Sequence, residues 1–371
     1  MEVRYIAPGE EEICNNFHNK WFKRNRSIAQ WKWEFIPRIF TRPPTPFAVA
    51  VDNGNIIGTQ AFIPIRMIDK DGIHWTAKSE ETLVDPAYRG KGLSPKMYSL
   101  LFEYAREQEI AYVWGFTTAV KALTPSNFEF PFNTSQLFMP FSIRSIPAMM
   151  TKNVYGKKEK FRDKFKVATI QSACVVAEAA SALKVASLKK RSHWDFDIRV
   201  MTRPDDQSGE LCSRFIKKWG GTTIYRDAPY LQWRLFDNPY AKSIVKGIYD
   251  KDELLGWVAY TIGDDGMGSI VDLLAPCDIS QFAANDLIKA MLLEAIVGTQ
   301  NMGATGVRGW RVNNYGFDKL INAVARDIGF YHIKRGSTFV LYTSDWGKRR
   351  ISYSKFDDWY ISRIYTDGTL G

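Results

Sequence analysis

The chain has 371 residues, enough for two hydrophobic cores. Hydrophobic residues make up 45% and charged residues 24%, which excludes a disordered chain. The formal charge of +10 favours anionic ligands, but the densest basic cluster is only Lys189-Lys190-Arg191, so no basic-aromatic stripe of the nucleic-acid kind emerges.

Cys14, Cys174, Cys212 and Cys277 stand far apart, and the four histidines are scattered. This pattern predicts neither a metal site nor a disulfide framework, and it suits a reducing, cytoplasmic compartment. Met1 to Tyr5 carries no apolar signal core. The stretch from Val167 to Ser187 leans apolar, but Gln171, Glu178 and Lys184 interrupt it, so it reads as a linker helix and not as a membrane span.

In chain order, the first landmark is Trp31-Lys32-Trp33-Glu34-Phe35, followed by Pro37. Two strands come next, Phe47 to Val51 and Ile56 to Thr59, joined through Asp52-Asn53-Gly54, a hairpin signal. A strand then ends at Thr82-Leu83-Val84-Asp85-Pro86. An amphipathic helix is predicted from about Pro95 to Glu109, with Met97, Leu100, Leu101, Tyr104 and Ala105 on one face. Another strand, Ala111 to Phe116, leads to an element ending at Pro131-Phe132.

The same order recurs. Leu231-Gln232-Trp233-Arg234-Leu235 precedes strands on either side of Asp250-Lys251-Asp252. A strand ends at Asp272-Leu273-Leu274-Ala275-Pro276, a helix runs from about Gln281 to Val297, and a strand covers Gly306 to Trp310, with Gly329-Phe330 closing the series. Trp33 and Trp233 lie 200 residues apart, Gly58 and Gly256 198, Pro86 and Pro276 190, and Pro131 and Gly329 198. The near-constant spacing predicts two copies of one α/β unit, at residues 1–150 and 205–371. A linker at 151–204 carries the basic run Lys157-Lys158-Glu159-Lys160 and a helix from Lys166 to Lys190.

The sharpest local signal is Arg89-Gly90-Lys91-Gly92-Leu93-Ser94-Pro95, where a strand gives way to a helix through a glycine-containing turn. Ser94 suits the N-cap and Pro95 the first helical position. Free N–H groups and the helix dipole make such an end an anion site, and Arg89 and Lys91 add charge.

This stretch resembles motif A of the GCN5-related N-acetyltransferases (GNAT), Arg/Gln-x-x-Gly-x-Gly/Ala, which here reads Arg89-x-x-Gly92-x-Ser94. Leu83-Val84-x-Pro86 resembles the end of the preceding family strand, and Val113-Trp114-Gly115-Phe116 the next strand. The resemblance implies two GNAT-like domains, each a mixed, mostly antiparallel sheet flanked by helices. It implies acetyl-CoA as co-substrate, its pyrophosphate held in the loop of Arg89, Gly90, Lys91, Gly92, Leu93 and Ser94, by the amides of Lys91 to Ser94. By the same resemblance, the amides of Leu83 and Val84 bind the pantetheine and polarise the thioester. The second copy reads Cys277-Asp278-Ile279-Ser280-Gln281 at the corresponding place, without glycine. It resembles the degenerate domain of tandem GNAT proteins.

Family members often place a glutamate base on this strand, which makes Glu80 and Glu81 the candidates, Glu81 ahead. The usual tyrosine acid is missing: counting back from Pro131-Phe132 puts Asn127 at its position, with Phe128 beside it and Pro125 shortening any helix. Tyr98, Tyr104 and Tyr112 read as core or helix-face residues. His18, His74, His193 and His332 show no partner pattern and read as structural or exposed.

Trp233-Arg234-Leu235-Phe236-Asp237-Asn238-Pro239-Tyr240 resembles tandem GNAT proteins of surface-polysaccharide synthesis. That implies a small amine acceptor, an amino sugar, nucleotide- or lipid-linked. Two alternatives stay open: aminoacyl transfer from tRNA to a cell-wall precursor, and a non-catalytic CoA-binding scaffold.

Overall fold

The computed structural model describes residues 1–36, 44–142, 175–176, 178–190, 194–275, 278–310, 316–333, 336–343 and 358–366. The chain opens with strand β1 (Glu2–Tyr5) and helix α1 (Glu11–Phe22). Helix α2 (Ile28–Phe35) starts at a reciprocal cap: the Gln30 N–H donates to Ser27 Oγ, and the Ser27 N–H donates to Gln30 Oε1. Strands β2 (Phe47–Asp52) and β3 (Asn55–Asp69) meet at Asn53 and Gly54, whose φ angles of +49° and +78° suit the Asn-Gly turn. β4 (Gly72–Val84) returns along β3. A 3-10 turn (Pro86–Tyr88), α3 (Leu93–Glu107), β5 (Tyr112–Thr117) and the short α4 (Val120–Leu123) follow.

Then come β6 (Gln136–Pro140), a helical stretch at 178–190, β7 (Asp197–Val200), α5 (Asp206–Trp219) and β8 (Thr223–Ile224). α6 (Ala228–Leu231) continues into a π-helical turn, Gln232–Phe236. β9 (Ile244–Asp250), β10 (Glu253–Ile262), β11 (Gly268–Leu274), α7 (Gln281–Asn301) and β12 (Gly306–Trp310) repeat the earlier order. α8 (Gly316–Ile328), β13 (Tyr331–Ile333) and β14 (Thr338–Thr343) complete it.

Two mixed sheets result. The first runs β1-β2-β3-β4-β5-β14, with β8 paired to β3. The second runs β13-β6-β12-β11-β10-β9-β7. Each has one parallel contact, β4 with β5 and β11 with β12, and is otherwise antiparallel.

The chain divides by contacts into residues 1–133, 222–225 and 337–358 as one unit, and 134–221, 226–336 and 359–371 as the other. This interleaved division differs from contiguous segments bounded at 150 and 204. The reason is strand partnering. β6, at the end of the first copy, lies between β12 and β13 of the second sheet, and β14, at the end of the second copy, pairs with β5 of the first. Strand period reports that a strand exists, not which partner it takes. The basic run at 157–160 and the first part of the expected linker helix, 166–174, lie outside the described residues.

Helix α3 packs on the first sheet through Leu93, Met97, Tyr98, Leu101 and Ala105. Tyr98, not Tyr104, completes that face; the Tyr104 hydroxyl donates to the Pro44 carbonyl at 2.6 Å. Gly58 makes the close approach possible, because a Cβ there would lie 3.2 Å from Met97 Cε and 3.3 Å from the Leu83 carbonyl oxygen. Gly256 repeats the arrangement, with Met291 Cε at 2.4 Å and the Leu274 carbonyl oxygen at 2.8 Å. The repeat therefore extends from element order to a particular glycine-methionine contact.

Candidate functional site

The site begins where two strands part. β4 and β5 pair only at Ala77↔Val113 and Lys78↔Trp114. β4 continues to Val84 without pairing to β5 beyond Lys78, and Ser79, whose carbonyl oxygen would lie 3.1 Å from a Cβ at Gly115, is the last residue seen against it. Opposite this stretch the β3–β4 register slips. Thr59 faces Leu83 and Ala61 faces Glu80, leaving Glu81 and Thr82 against Gln60 alone. Glu81 takes φ +60°, a left-handed conformation that costs a non-glycine residue about 1–2 kcal/mol.

Several bonds hold that conformation. Thr59 Oγ1 donates to the Glu81 carbonyl at 3.0 Å. The Glu81 carboxylate accepts from Arg26 Nη1 and, at 2.9 Å, from His18 Nδ1. Arg26 is itself fixed: its Nε donates to Asn15 Oδ1 at 2.8 Å, and its carbonyl accepts from Asn15 and Asn19 at 2.7 and 2.8 Å. All three members of the cluster are buried. Burial pushes the Glu81 carboxyl up, but the His18 hydrogen bond and the Arg26 charge outweigh it and hold the group below its ordinary value. A carboxylate held low is a weaker base. Glu80, the other candidate, is ion-paired with Lys78 and keeps 24% of its side chain exposed. His18, read from sequence as lacking a partner, is at the bulge; one signal for its helix was the spacing Cys14, Phe17 and Trp21, which returns at Cys212, Phe215 and Trp219.

The second copy repeats the latch. Arg226 stands one residue before the N-cap of α6, as Arg26 stands before that of α2. Arg226 grips Asp272 on β11 through Nε at 2.9 Å and Nη2 at 3.1 Å. Ser362 and Trp257 also donate to Asp272, at 2.5 and 3.1 Å. The β10–β11 register slips beside it, between Ala259 and Tyr260.

The turn after β4 is built by short-range bonds. Asp85 Oδ1 accepts from the Ala87 N–H at 2.9 Å, and Arg89 Nε reaches back to the Val84 carbonyl at 3.2 Å. Gly90 and Gly92 have φ +79° and +72°, and open space surrounds the Cβ each lacks. Glycine is required there by conformation and not by crowding within the chain. Helix α3 starts at Leu93 with Gly92 as N-cap, so Ser94 is not the cap and Pro95 is the third helical residue, not the first. A left-handed glycine ends the turn two residues sooner than the Ser-Pro pair suggested. Gly92 has no side chain to cap the helix, and Ser94 Oγ is buried without a hydrogen-bond partner. That end can receive an anion through backbone N–H groups, with Arg89 and Lys91 exposed beside it. Helix α7 of the second copy is closed by its own Ser280, whose Oγ accepts from the Ala283 N–H at 3.2 Å.

Along α3 from Pro95 to Arg106 runs a cleft of about 340 Å³, walled by Tyr98, Phe102, Pro125, Ser126, Asn127 and Tyr342 among others. Asn127, at the position of the expected tyrosine, ends a 3-10 turn with φ +59° and borders this cleft. Tyr98 donates or accepts at 2.9 Å with both Ser79 and Thr82, on either side of the bulge residue. Burial pushes its phenol up to about 12, against the pull of those two hydroxyls, so it is a poor proton donor.

The motif that suggested an amino-sugar acceptor is largely packing. Trp233, Arg234 and Leu235 are buried, and Arg234 Nη2 donates to the Thr366 carbonyl at 2.6 Å. Among the described residues, no group of three His, Cys, Asp or Glu is placed to hold a metal ion, and no helix is long and apolar enough to cross a membrane.

The profile of the acetyltransferase (GNAT) family matches residues 11–124, the segment that holds α1, the latch, the bulge and the anion turn. The likeness to the family profile is confined to that segment. A probable N-acyltransferase from Enterococcus faecalis V583 is similar at 10% identity and TM-score 0.59, over 92% of this chain and 72% of that one. A GCN5-related N-acetyltransferase from Anabaena variabilis matches at 12% identity and TM-score 0.60, over 92% and 73%. Saccharomyces cerevisiae N-myristoyltransferase with bound myristoyl-CoA matches at 10% and 0.58, over 92% and 82%. At these identities the likeness shows the fold. A search of curated protein sequences finds no match.

Proposed function

We propose that the chain is an acyl-CoA-dependent N-acyltransferase whose donor site lies in its first unit, with acetyl-CoA as donor and an amino sugar as acceptor. The observation that carries the reading is the uncapped N-terminus of α3 behind Gly90 and Gly92, next to a strand that has parted from its neighbour. A pyrophosphate matches the N–H groups at Leu93 and Ser94, with the charges of Arg89 and Lys91 beside it. An extended chain such as pantetheine matches the unpaired edge of β4, where Val84 supplies an amide proposed to polarise the thioester; the Leu83 amide, on the same side as that of Asp85, which donates to the Ile57 carbonyl, faces β3. The acyl donor supplies an activated carbonyl; the protein supplies position and charge.

The second unit lacks this arrangement, since Ser280 caps its helix. Its proposed part is structural. The amino-sugar acceptor draws on the polysaccharide-type resemblance and on the +10 charge, which suits an anionic nucleotide- or lipid-linked amine. Cytoplasmic placement goes with the free buried thiols of Cys14 and Cys212.

The test is thiol release from acetyl-CoA, followed colorimetrically, with free amino sugars, nucleotide-linked amino sugars and an amino-terminal peptide as acceptors. Thiol release with an amino sugar supports the reading. Release only with another amine corrects the acceptor, and no release with any amine contradicts the activity.

A further inference from the structure

Helices α1 and α5 are copies at the residue level. Cys14, Phe17 and Trp21 of α1 recur as Cys212, Phe215 and Trp219 of α5, each 198 residues later. In that register His18 corresponds to Ile216, which is 1% exposed. Both copies hold a carboxylate at the bulge with an arginine from before the next helix. Only the copy with the open anion turn adds an imidazole to it.

The imidazole is also incompletely used. Nδ1 is bonded to Glu81, and with the carboxylate ionised this nitrogen must carry the proton. Nε2 is buried and has no hydrogen-bond partner. A buried polar nitrogen without a partner costs about 1–3 kcal/mol, and such groups in folded proteins recur where a ligand completes them. Ile216 shows that the helix packs without a polar atom at this place. The remaining charged groups around the ring are Arg26, on Glu81, and Glu34, 3.3 Å from Arg26; Cys14 lies one turn earlier on α1. Phe22, 47% exposed, packs against the ring at 4.6 Å.

We infer that His18 is the general base of the acyl transfer, a catalytic residue oriented by Glu81, which acts as a positioning residue. This rests on the acyltransferase reading above. The acceptor nitrogen attacks the thioester carbonyl and forms the C–N bond. His18 Nε2 takes the proton that the nitrogen loses. The C–S bond breaks, the thiolate takes that proton back from Nε2, and amide and free thiol leave with His18 neutral again. Glu81 stabilises the transient imidazolium, as a carboxylate does behind a histidine base.

His18→Gln is compared with the wild type for acetyl-CoA binding by calorimetry and for thiol release with the amine panel. The expected result is unchanged binding, turnover lower by about 10²–10⁴-fold, loss of the acid limb of the kcat/KM profile, and partial rescue by added imidazole. Turnover within about twofold of wild type overturns the base while leaving the acyl transfer standing. Slow turnover with an unaltered pH profile and no rescue makes His18 structural and also overturns it. A wild type that binds acetyl-CoA but releases no thiol with any amine overturns the acyl-transfer reading, and the base falls with it. Nitrogen-15 spectra of the histidine-labelled wild type give a readout independent of the variant's folding. A neutral ring protonated at Nδ1 is expected, and one protonated at Nε2 overturns the inference.

Discussion

Arg26, one residue before the N-cap of α2, binds Glu81 at the β4 bulge, and the pair is buried. Its recurrence as Arg226 with Asp272, in a copy whose helix terminus is closed, separates fold from chemistry. The arginine–carboxylate contact ties the segment before a helix to the bulged strand and belongs to the unit in both copies.

The second latch is therefore expected to carry stability. Arg226 and Asp272 have no exposed side-chain surface. Arg226→Met leaves a buried carboxylate without its counter-charge and is expected to cost about 3–5 kcal/mol. The double variant with Asp272→Leu is expected to recover much of the loss. Urea midpoints of the two proteins check this; equal losses in both would contradict it.

Acid is expected to loosen the first unit. Glu10 is drawn down to about 2 by the hydrogen bond from Arg4, helped by the Ala7 N–H. Glu81 is held low by His18 and Arg26. Both folded-state values lie below the unfolded ones, so their contributions are complete above the ordinary carboxylate range and are lost as pH falls through the folded values. Stability should decline from about pH 5 towards pH 2, and Glu10→Gln should flatten that decline. Urea midpoints at pH 7, 4 and 3 measure the slope.

The fold was legible in the sequence where the signals are local. Asn53-Gly54, the α3 pattern and the spacing between Trp33 and Trp233 each concern neighbours in one element or a repeat of one. What stayed hidden depends on long-range pairing. Nothing in 136–140 states that it joins β12, and nothing in 338–343 states that it joins β5. The bulge makes adjacent residues depart from strict alternation, so the sequence put Glu81 only narrowly ahead of Glu80. Ser94-Pro95 has the composition of a cap, but Gly92 in the left-handed region turns the chain first. His18 was missed because its partner is 63 residues away, although the Cys-x-x-Phe and Trp echo between α1 and α5 marks the helix as part of the repeat.

Tyr98 is expected to hold the bulge and not to donate a proton. Tyr98→Phe leaves Ser79 Oγ and Thr82 Oγ1 without their shared partner and should cost about 1–3 kcal/mol. The phenol, pushed up to about 12, should stay silent in an absorbance titration to pH 11. Ionisation of all 17 tyrosines by pH 11 would contradict this.

Arg89 should act on the donor alone. It is exposed and held by a single bond to the Val84 carbonyl, so Arg89→Ala should leave the fold intact. Losing one charge-assisted contact is expected to weaken acetyl-CoA binding by about 1.5–3 kcal/mol. Binding at low and high salt checks the electrostatic origin, since the difference between variant and wild type should shrink as salt rises.

The most direct test of the donor site is calorimetric titration with acetyl-CoA of the wild type beside Gly92→Glu. A side chain at Gly92 strains a backbone at φ +72°, and its carboxylate would stand where the pyrophosphate is proposed to bind. One site per chain, lost in the variant while the thermal transition persists, is the expected result. No binding to the wild type, or equal binding to both proteins, would contradict a donor site at the start of α3.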